Sequence, residues 1–225
     1  MIYITGDTHI PIDISKLNAK HFPAQKNLSK DDYLIICGDF GGVWNSDAEE
    51  MYWRKWLDRK NFTTLFVDGN HENFDLLNSF EIVDFFGGKA HKISDHIYHL
   101  MRGQVYEIKD KTLFTFGGAS SHDKEYRTEG MSWWKEELPS DAELETAISN
   151  LEAYDWNVDY IITHCAPSSV QQEIASDYSQ DILTEFFEEI KNRISFEKWF
   201  FGHYHIDTVI DDEFCCMFNN IDKLF

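Results

Sequence analysis

Aspartate, histidine and asparagine recur in five short blocks, each set at the end of an apolar run. They are Gly6-Asp7-Thr8-His9, Gly38-Asp39, Gly69-Asn70-His71-Glu72, Thr163-His164 and Gly202-His203-Tyr204-His205. In an extended segment Asp7 and His9 point the same way, with side chains roughly 6.5 Å apart along the chain, and His203 and His205 repeat that spacing. Each such pair can grip one ion or flank two. Asp39 adds a carboxylate whose two oxygens can bridge a pair of cations, Asn70 a neutral oxygen and His164 another imidazole. This mixed nitrogen and oxygen set suits Mn²⁺, Fe or Zn²⁺ and would be unusual for Mg²⁺ or Ca²⁺. Seven candidate ligands exceed what a single tetrahedral zinc accepts. They match two ions sharing one carboxylate. Two metals roughly 3.5–4 Å apart can activate a hydroxide and clamp the oxygens of an in-line displacement at phosphorus. Any one of these residues alone is more often a helix cap or a satisfied core histidine than a ligand; the set is what points to a metal site.

To act together, the blocks must be carried to one place. Each follows a β-like run: Ile2–Ile4, Tyr33–Cys37, Leu65–Val67, Tyr160–Ile162 and Trp199–Phe201. Strands of an open α/β sheet present their ligands at the carboxyl edge. Up to about residue 80 the pattern alternates strand and helix, with Asp47 capping a helix that contains Met51, Trp53, Trp56 and Leu57, and a short helix around Phe74 and Leu77. That alternation implies βαβ units and a parallel sheet. The middle differs: Ile82–Phe86, His96–Leu100, Gln104–Ile108 and Thr112–Phe116 read as successive strands, the last two joined by a hairpin turn at Lys109-Asp110-Lys111. Residues 139–154 read as a helix with Ser140 as cap, Glu143 three positions on, and a buried stripe of Leu144, Ala147, Ile148 and Leu151. A second helix spans about 179–193, and Ile206–Ile210 with Glu213–Phe218 forms a closing hairpin around Asp211-Asp212. The expected architecture is α/β: two packed sheets flanked by helices, in a single domain over residues 1–225.

The order GD-x-H, GD, GNHE, H and G-H-x-H, spread from residue 6 to residue 205, resembles the calcineurin-like metallophosphoesterase superfamily. The resemblance implies a four-layer α-β-β-α sandwich of two mixed sheets. It implies that Asp7, His9, Asp39 and His205 hold one metal, and that Asp39, Asn70, His164 and His203 hold the other. His71 matches the family histidine that protonates the leaving group or steadies a phosphoryl oxygen; the rival role is to orient a ligand from behind. The reaction so implied is hydrolysis of a phosphate ester by attack of a metal-bound hydroxide, with Mn the first choice of metal and Fe or Zn the others. The chain departs from the GD-x-x-D-R-G pattern of protein Ser/Thr phosphatases, because Gly38-Asp39-Phe40-Gly41-Gly42-Val43-Trp44 carries no arginine. A phosphodiesterase or small-molecule phosphatase is therefore favoured over a protein phosphatase. A non-catalytic metal-binding scaffold, which has no need of a complete ligand set, is the reading from another class.

Glu72 is expected either to neutralise or orient His71 or to open the next helix. The glycine-bearing stretch 117–134 is the candidate substrate-selecting loop, since loops carry specificity. Within it Arg127 would make a forked contact with phosphate or pair with an acid, and Trp133 and Trp134 are expected in the core. Asn70 and His71 join Arg127 as candidate substrate contacts. Among the other histidines only His122, beside this loop, has a suggestive setting.

A formal charge of −20 argues against tight binding to long nucleic acids, which relies on Lys and Arg. A small phosphorylated substrate remains compatible with it. No apolar run approaches the roughly 20 residues of a membrane-spanning helix, and a first strand beginning at Ile2 leaves no room for a cleavable leader, so a soluble, cytoplasmic protein is expected. Cys37, Cys165, Cys215 and Cys216 do not resemble a disulfide framework; adjacent extended residues alternate faces, which makes a bridge between the last two geometrically poor.

Overall fold

The computed structural model describes residues 1–225. In chain order its first strands are β1 (Ile2–Thr5), β2 (Tyr33–Ile36), β3 (Thr63–Phe66), β4 (Glu81–Phe85), β5 (Gly88–Ser94) and β6 (Ile97–Leu100). The next are β7 (Gln104–Ile108), β8 (Lys111–Phe116), β9 (Tyr160–Thr163), β10 (Lys198–Phe201), β11 (Thr208–Ile210), β12 (Phe214–Cys216) and β13 (Asp222–Lys223). They form a seven-stranded sheet in the order β13-β1-β2-β3-β6-β5-β4 and a six-stranded sheet in the order β11-β12-β10-β9-β8-β7. Both are mixed. Parallel pairing runs from β1 through β2 and β3 to β6 in the first and from β12 through β10 and β9 to β8 in the second, with antiparallel strands at the edges.

Strand alternation explains the layering. In β2, Leu34 and Ile36 join one apolar cluster while Tyr33 and Ile35 join another; in β9 and β10, Ile161, Trp199 and Phe201 face away from Tyr160, Ile162 and Phe200. Both faces of each central strand are thus apolar, as strands covered on two sides require. The middle cluster lies between the sheets and unites Ile2, Ile4, Ile35 and Leu65 with Leu113, Ile162 and Phe200. Helices α1 (Ala48–Asp58) and α2 (Phe74–Leu77) cover the outside of the first sheet through Leu57, Phe74 and Leu77. Helices α3 (Asp141–Ala153), α4 (Ser168–Ile174) and α5 (Ile182–Lys191) cover the second through Ala147, Leu151, Val170, Leu183 and Phe187. Full burial of such a side chain contributes roughly 1.5–3 kcal/mol. Three interfaces make four layers, α-β-β-α.

The caps are where the sequence puts them. Asp47 accepts the amide of Glu50 at 2.8 Å, and Ser140 and Glu143 form a reciprocal capping box at the head of α3. Lys109 and Asp110 both adopt left-handed backbone angles (φ 53° and 64°), the conformation a two-residue hairpin between β7 and β8 demands. Other expectations need correcting. No α-helix joins β1 to β2; short 3-10 turns at Ile14–Leu17 and Pro23–Asn27 do so. Strands β5 and β13 and helix α4 are additions, and the last long helix begins at Ile182, capped by Asp181. All four cysteines are free and buried. No helix is long and apolar enough to cross a membrane.

Candidate metal centre

The carboxyl ends of β1, β2 and β3 in one sheet and of β9 and β10 in the other meet at one rim, and the five polar blocks follow these ends directly. Hydrogen bonds between blocks hold the rim together. His203 N–H donates to the Asp7 carboxylate at 3.1 Å, Gly202 N–H to the His164 carbonyl at 3.0 Å, and Thr8 N–H to the Asp39 carbonyl at 3.0 Å. Glycines permit the approach. A β-carbon on Gly69 would stand 2.1 Å from Asp39 Oδ1, and one on Gly202 would stand 2.1 Å from Asp7 Oδ1. Side chains at those two positions would occupy the space that the neighbouring carboxylates need.

Ligating atoms of Asp7, His9, Asp39 and His205 all lie within 4.8 Å of one another. A second group meets the first at Asp39: His164 Nε2 is 3.2 Å from Asp39 Oδ1 and 3.3 Å from Asn70 Oδ1. The His203 ring lies 5.0 Å from that of His164. Neighbouring atoms fix which face of each ligand is free. His164 Nδ1–H donates to the Cys37 carbonyl at 2.8 Å, which turns Nε2 towards the centre. His9 Nδ1 pairs with Asp13 at 2.9 Å, which turns Nε2 towards Asp39. Asn70 Nδ2 donates to Ser121 Oγ at 3.3 Å, and Ser121 is itself held by Glu137, leaving the amide oxygen for the centre.

The electrostatics fit cations. Asp7 is wholly buried; burial raises its carboxyl, as does the nearby Asp39, against the attraction of His164. Burial would raise Asp39 too, but His164 and His9 hold it well below the usual carboxylate range. The His164 imidazole, despite burial, is pushed up to about 10 by Asp39 and Asp7. A proton on His164 thus offsets part of the negative charge where a divalent ion would do so. Burial and the neighbouring His164 keep His203 well below the usual imidazole value, in the neutral form a metal ligand needs. The donor set and its charge therefore suit two cations that share Asp39.

His71 N–H donates to Asp39 Oδ1 at 2.8 Å, and its ring stands edge-on to His9 at 5.2 Å. Burial lowers the His71 imidazole, with Asp39 pulling the other way. His71 and Arg127 line an open cavity of about 210 Å³ together with Asp39, Asn70, His203 and His205. The structure therefore brings together Asp7, His9, Asp39, Asn70, His71, Arg127, His164, His203 and His205; none lies elsewhere. A larger cavity of about 480 Å³, beside Arg102 and His91, contains none of them. Arg127 also pairs with Asp123 at 2.6 Å, the second of the two roles expected of it.

Glu72 does something else than expected. Its buried carboxyl accepts Phe40 N–H at 2.8 Å and faces Gly41 N–H at 3.4 Å, so it clamps the loop after Asp39 instead of opening a helix or serving His71. The capping residue of α2 is Asn73. Trp134 is core, with its indole N–H on Asp75 at 2.9 Å, whereas Trp133 is only half-buried. His122 does line the cavity, with Tyr178 against its ring at 3.8 Å, and no motif marks that tyrosine. Cys165 packs in the outer core of the second sheet.

No curated protein matches this chain. A family model does: that of the calcineurin-like phosphoesterases matches residues 1–207, ending just beyond His205. On that match, which spans all five blocks and strands β1 to β10, the chain belongs to the calcineurin-like phosphoesterase family.

Proposed function

We propose that this protein is a dinuclear metal-dependent phosphoesterase acting on small phosphate esters, as a phosphodiesterase or small-molecule phosphatase. The observation that carries the reading is Asp39, which stands within reach of both ligand groups at once. Bound cations, Mn²⁺ before Fe or Zn²⁺, would lower the pKa of water into the neutral range and offset charge on phosphoryl oxygens. The chain's own side chains do the rest. Asp7, His9 and His205 would hold one ion with Asp39, and Asn70, His164 and His203 would hold the other. His71, fixed through its backbone to Asp39, would hydrogen-bond the ester oxygen and deliver a proton as the alcohol departs. Arg127 offers a guanidinium to the remaining phosphoryl oxygens. Val43 stands where the GD-x-x-D-R-G pattern of protein Ser/Thr phosphatases has its arginine, and it is buried in the outer core of the first sheet. Four reduced cysteines fit action in the cytoplasm.

The test is hydrolysis of phenyl phosphate and of bis-p-nitrophenyl phosphate by Mn²⁺-loaded protein, alongside metal analysis. Turnover abolished by chelation and by Asp39→Asn is expected. Two ions bound per chain with no ester hydrolysed would favour the metal-binding scaffold instead.

A further inference from the structure

His71 belongs to two cavities. One is the charged cavity described above; the other, of about 220 Å³, is lined by His71, His9, Ile10, Ile12, Gly41 and Trp44, and His71 is the residue common to both. Resting on the phosphoesterase reading, we propose that this second cleft seats the apolar, aromatic-sized alcohol half of the substrate while the phosphoryl group lies among the ligand groups. A phosphate ester has its scissile oxygen between those two halves. A histidine that serves that oxygen must have the phosphoryl group on one hand and the alcohol on the other, and the cleft is the space available for the alcohol.

Its chemistry is the reverse of the charged cavity's. Apart from the two imidazoles its walls are isoleucine, tryptophan and a glycine backbone, with no Lys, Arg, Asp or Glu. Ile12 is 76% exposed, although single exposed apolar residues are common on protein surfaces. What distinguishes Ile12 is its place beside Trp44 at the edge of a catalytic histidine. The walls are also held in place. Ile10 N–H donates to the Phe40 carbonyl at 3.1 Å, Trp44 N–H donates to Glu50 at 3.0 Å, and the Trp44 ring stands edge-on to Trp134 at 5.3 Å. These are the loops that carry His9 and Asp39, so cleft and ligand groups keep a fixed relation. An ester with a charged alcohol, such as a phosphopeptide with acidic flanks, would have to desolvate its charge against this surface. An aryl or branched alkyl alcohol would bury apolar area there.

Leaving-group reactivity would confuse a comparison of rates, so the test uses unreactive probes. Benzylphosphonate and methylphosphonate are titrated calorimetrically into Mn²⁺-loaded protein. Benzylphosphonate should bind about tenfold more tightly or better. Ile12→Asp, a surface change that leaves the fold alone, should erase most of that advantage, and Trp44→Ala should do the same, each with methylphosphonate affinity kept. Equal affinity for the two probes in the unaltered protein, or a ratio untouched by both substitutions, would overturn the assignment. Because binding is read directly, the ratio decides on the cleft even if no ester is turned over, an outcome that would count against the phosphoesterase reading alone.

Discussion

The carboxyl of Glu72 accepts the amide of Phe40 at 2.8 Å, and through that bond the third polar block fixes the loop of the second. Burial, with Asp39 adding to it, drives the Glu72 carboxyl well above its ordinary value. A neutral amide of the same shape can accept the same hydrogen bond. Glu72→Gln should therefore keep most activity and metal content. Glu72→Ala leaves a buried amide without its partner, a cost of about 1–3 kcal/mol, and frees the Asp39 loop. Melting temperature, metal content and turnover should all fall in the alanine variant and recover in the glutamine one. Equal damage in both would mean that the charge of Glu72, and not its acceptor oxygen, is what the site needs.

This clamp shows which features were legible in the sequence and which were not. Candidate ligands such as Asp7 and His164 stand out because polar groups at the ends of apolar runs have no packing reason to be there. Capping residues such as Ser140 are legible for a similar reason: their partner lies three residues away. Glu72 is not legible, because its partners are backbone amides about 30 residues distant, and an amide carries no residue type. Helix α4 lacks a side-chain cap and follows Pro167, so nothing local announces it. Strand β5 carries Lys89, His91 and Lys92 among its apolar residues, which breaks the pattern of a half-buried strand, and β13 is two exposed residues held only by pairing with β1. Tyr178 reaches the cavity through tertiary packing alone.

Gly69 and Gly202 are expected to tolerate no β-carbon. On Gly69 it would meet Asp39 N at 2.5 Å as well as the carboxylate, and on Gly202 the Cys37 carbonyl at 2.6 Å; backbone atoms cannot swing aside. Overpacking of this kind typically costs about 1–3 kcal/mol, which a four-layer core can absorb while the ligands move. Gly69→Ala and Gly202→Ala should fold, by circular dichroism, yet bind fewer metal ions and lose turnover. Either variant with a full metal complement would show that the carboxylates have room to spare.

Away from the centre, His91 should make the protein acid-labile. Its Nδ1 lies 2.9 Å from Nδ1 of His99, and Nε2 of His99 lies 3.0 Å from Asp68, so one hydrogen joins the two rings. Burial, then repulsion from His99, lowers His91 to about 4. Between about pH 6.5 and about pH 4 the unfolded chain binds a proton at this site that the folded one does not, so stability falls as pH falls through that window. The loss is at most about 3 kcal/mol. Thermal melts of His91→Gln across this range should show a flatter pH dependence than the unaltered protein; parallel curves would rule the site out.

Arg127 should govern substrate affinity more than the chemical step. Nε pairs with Asp123 at 2.6 Å and Nη1–H donates to the Ser132 carbonyl at 3.1 Å, which leaves the rest of the guanidinium free at the cavity that His71 and the ligands share. A fork already held in place loses little freedom when a phosphoryl group arrives. Arg127→Ala should raise KM about tenfold with a smaller change in kcat, and Arg127→Lys, which keeps charge without the fork, should fall between. Asp123→Ala supplies the control. If Arg127 merely props its loop, removing the partner acid would reproduce the Arg127→Ala kinetics; if the guanidinium meets substrate, Asp123→Ala will be much the milder of the two. Steady-state kinetics on one aryl phosphate across these three variants separates the roles, and an unchanged KM in Arg127→Ala would remove the arginine from the binding site.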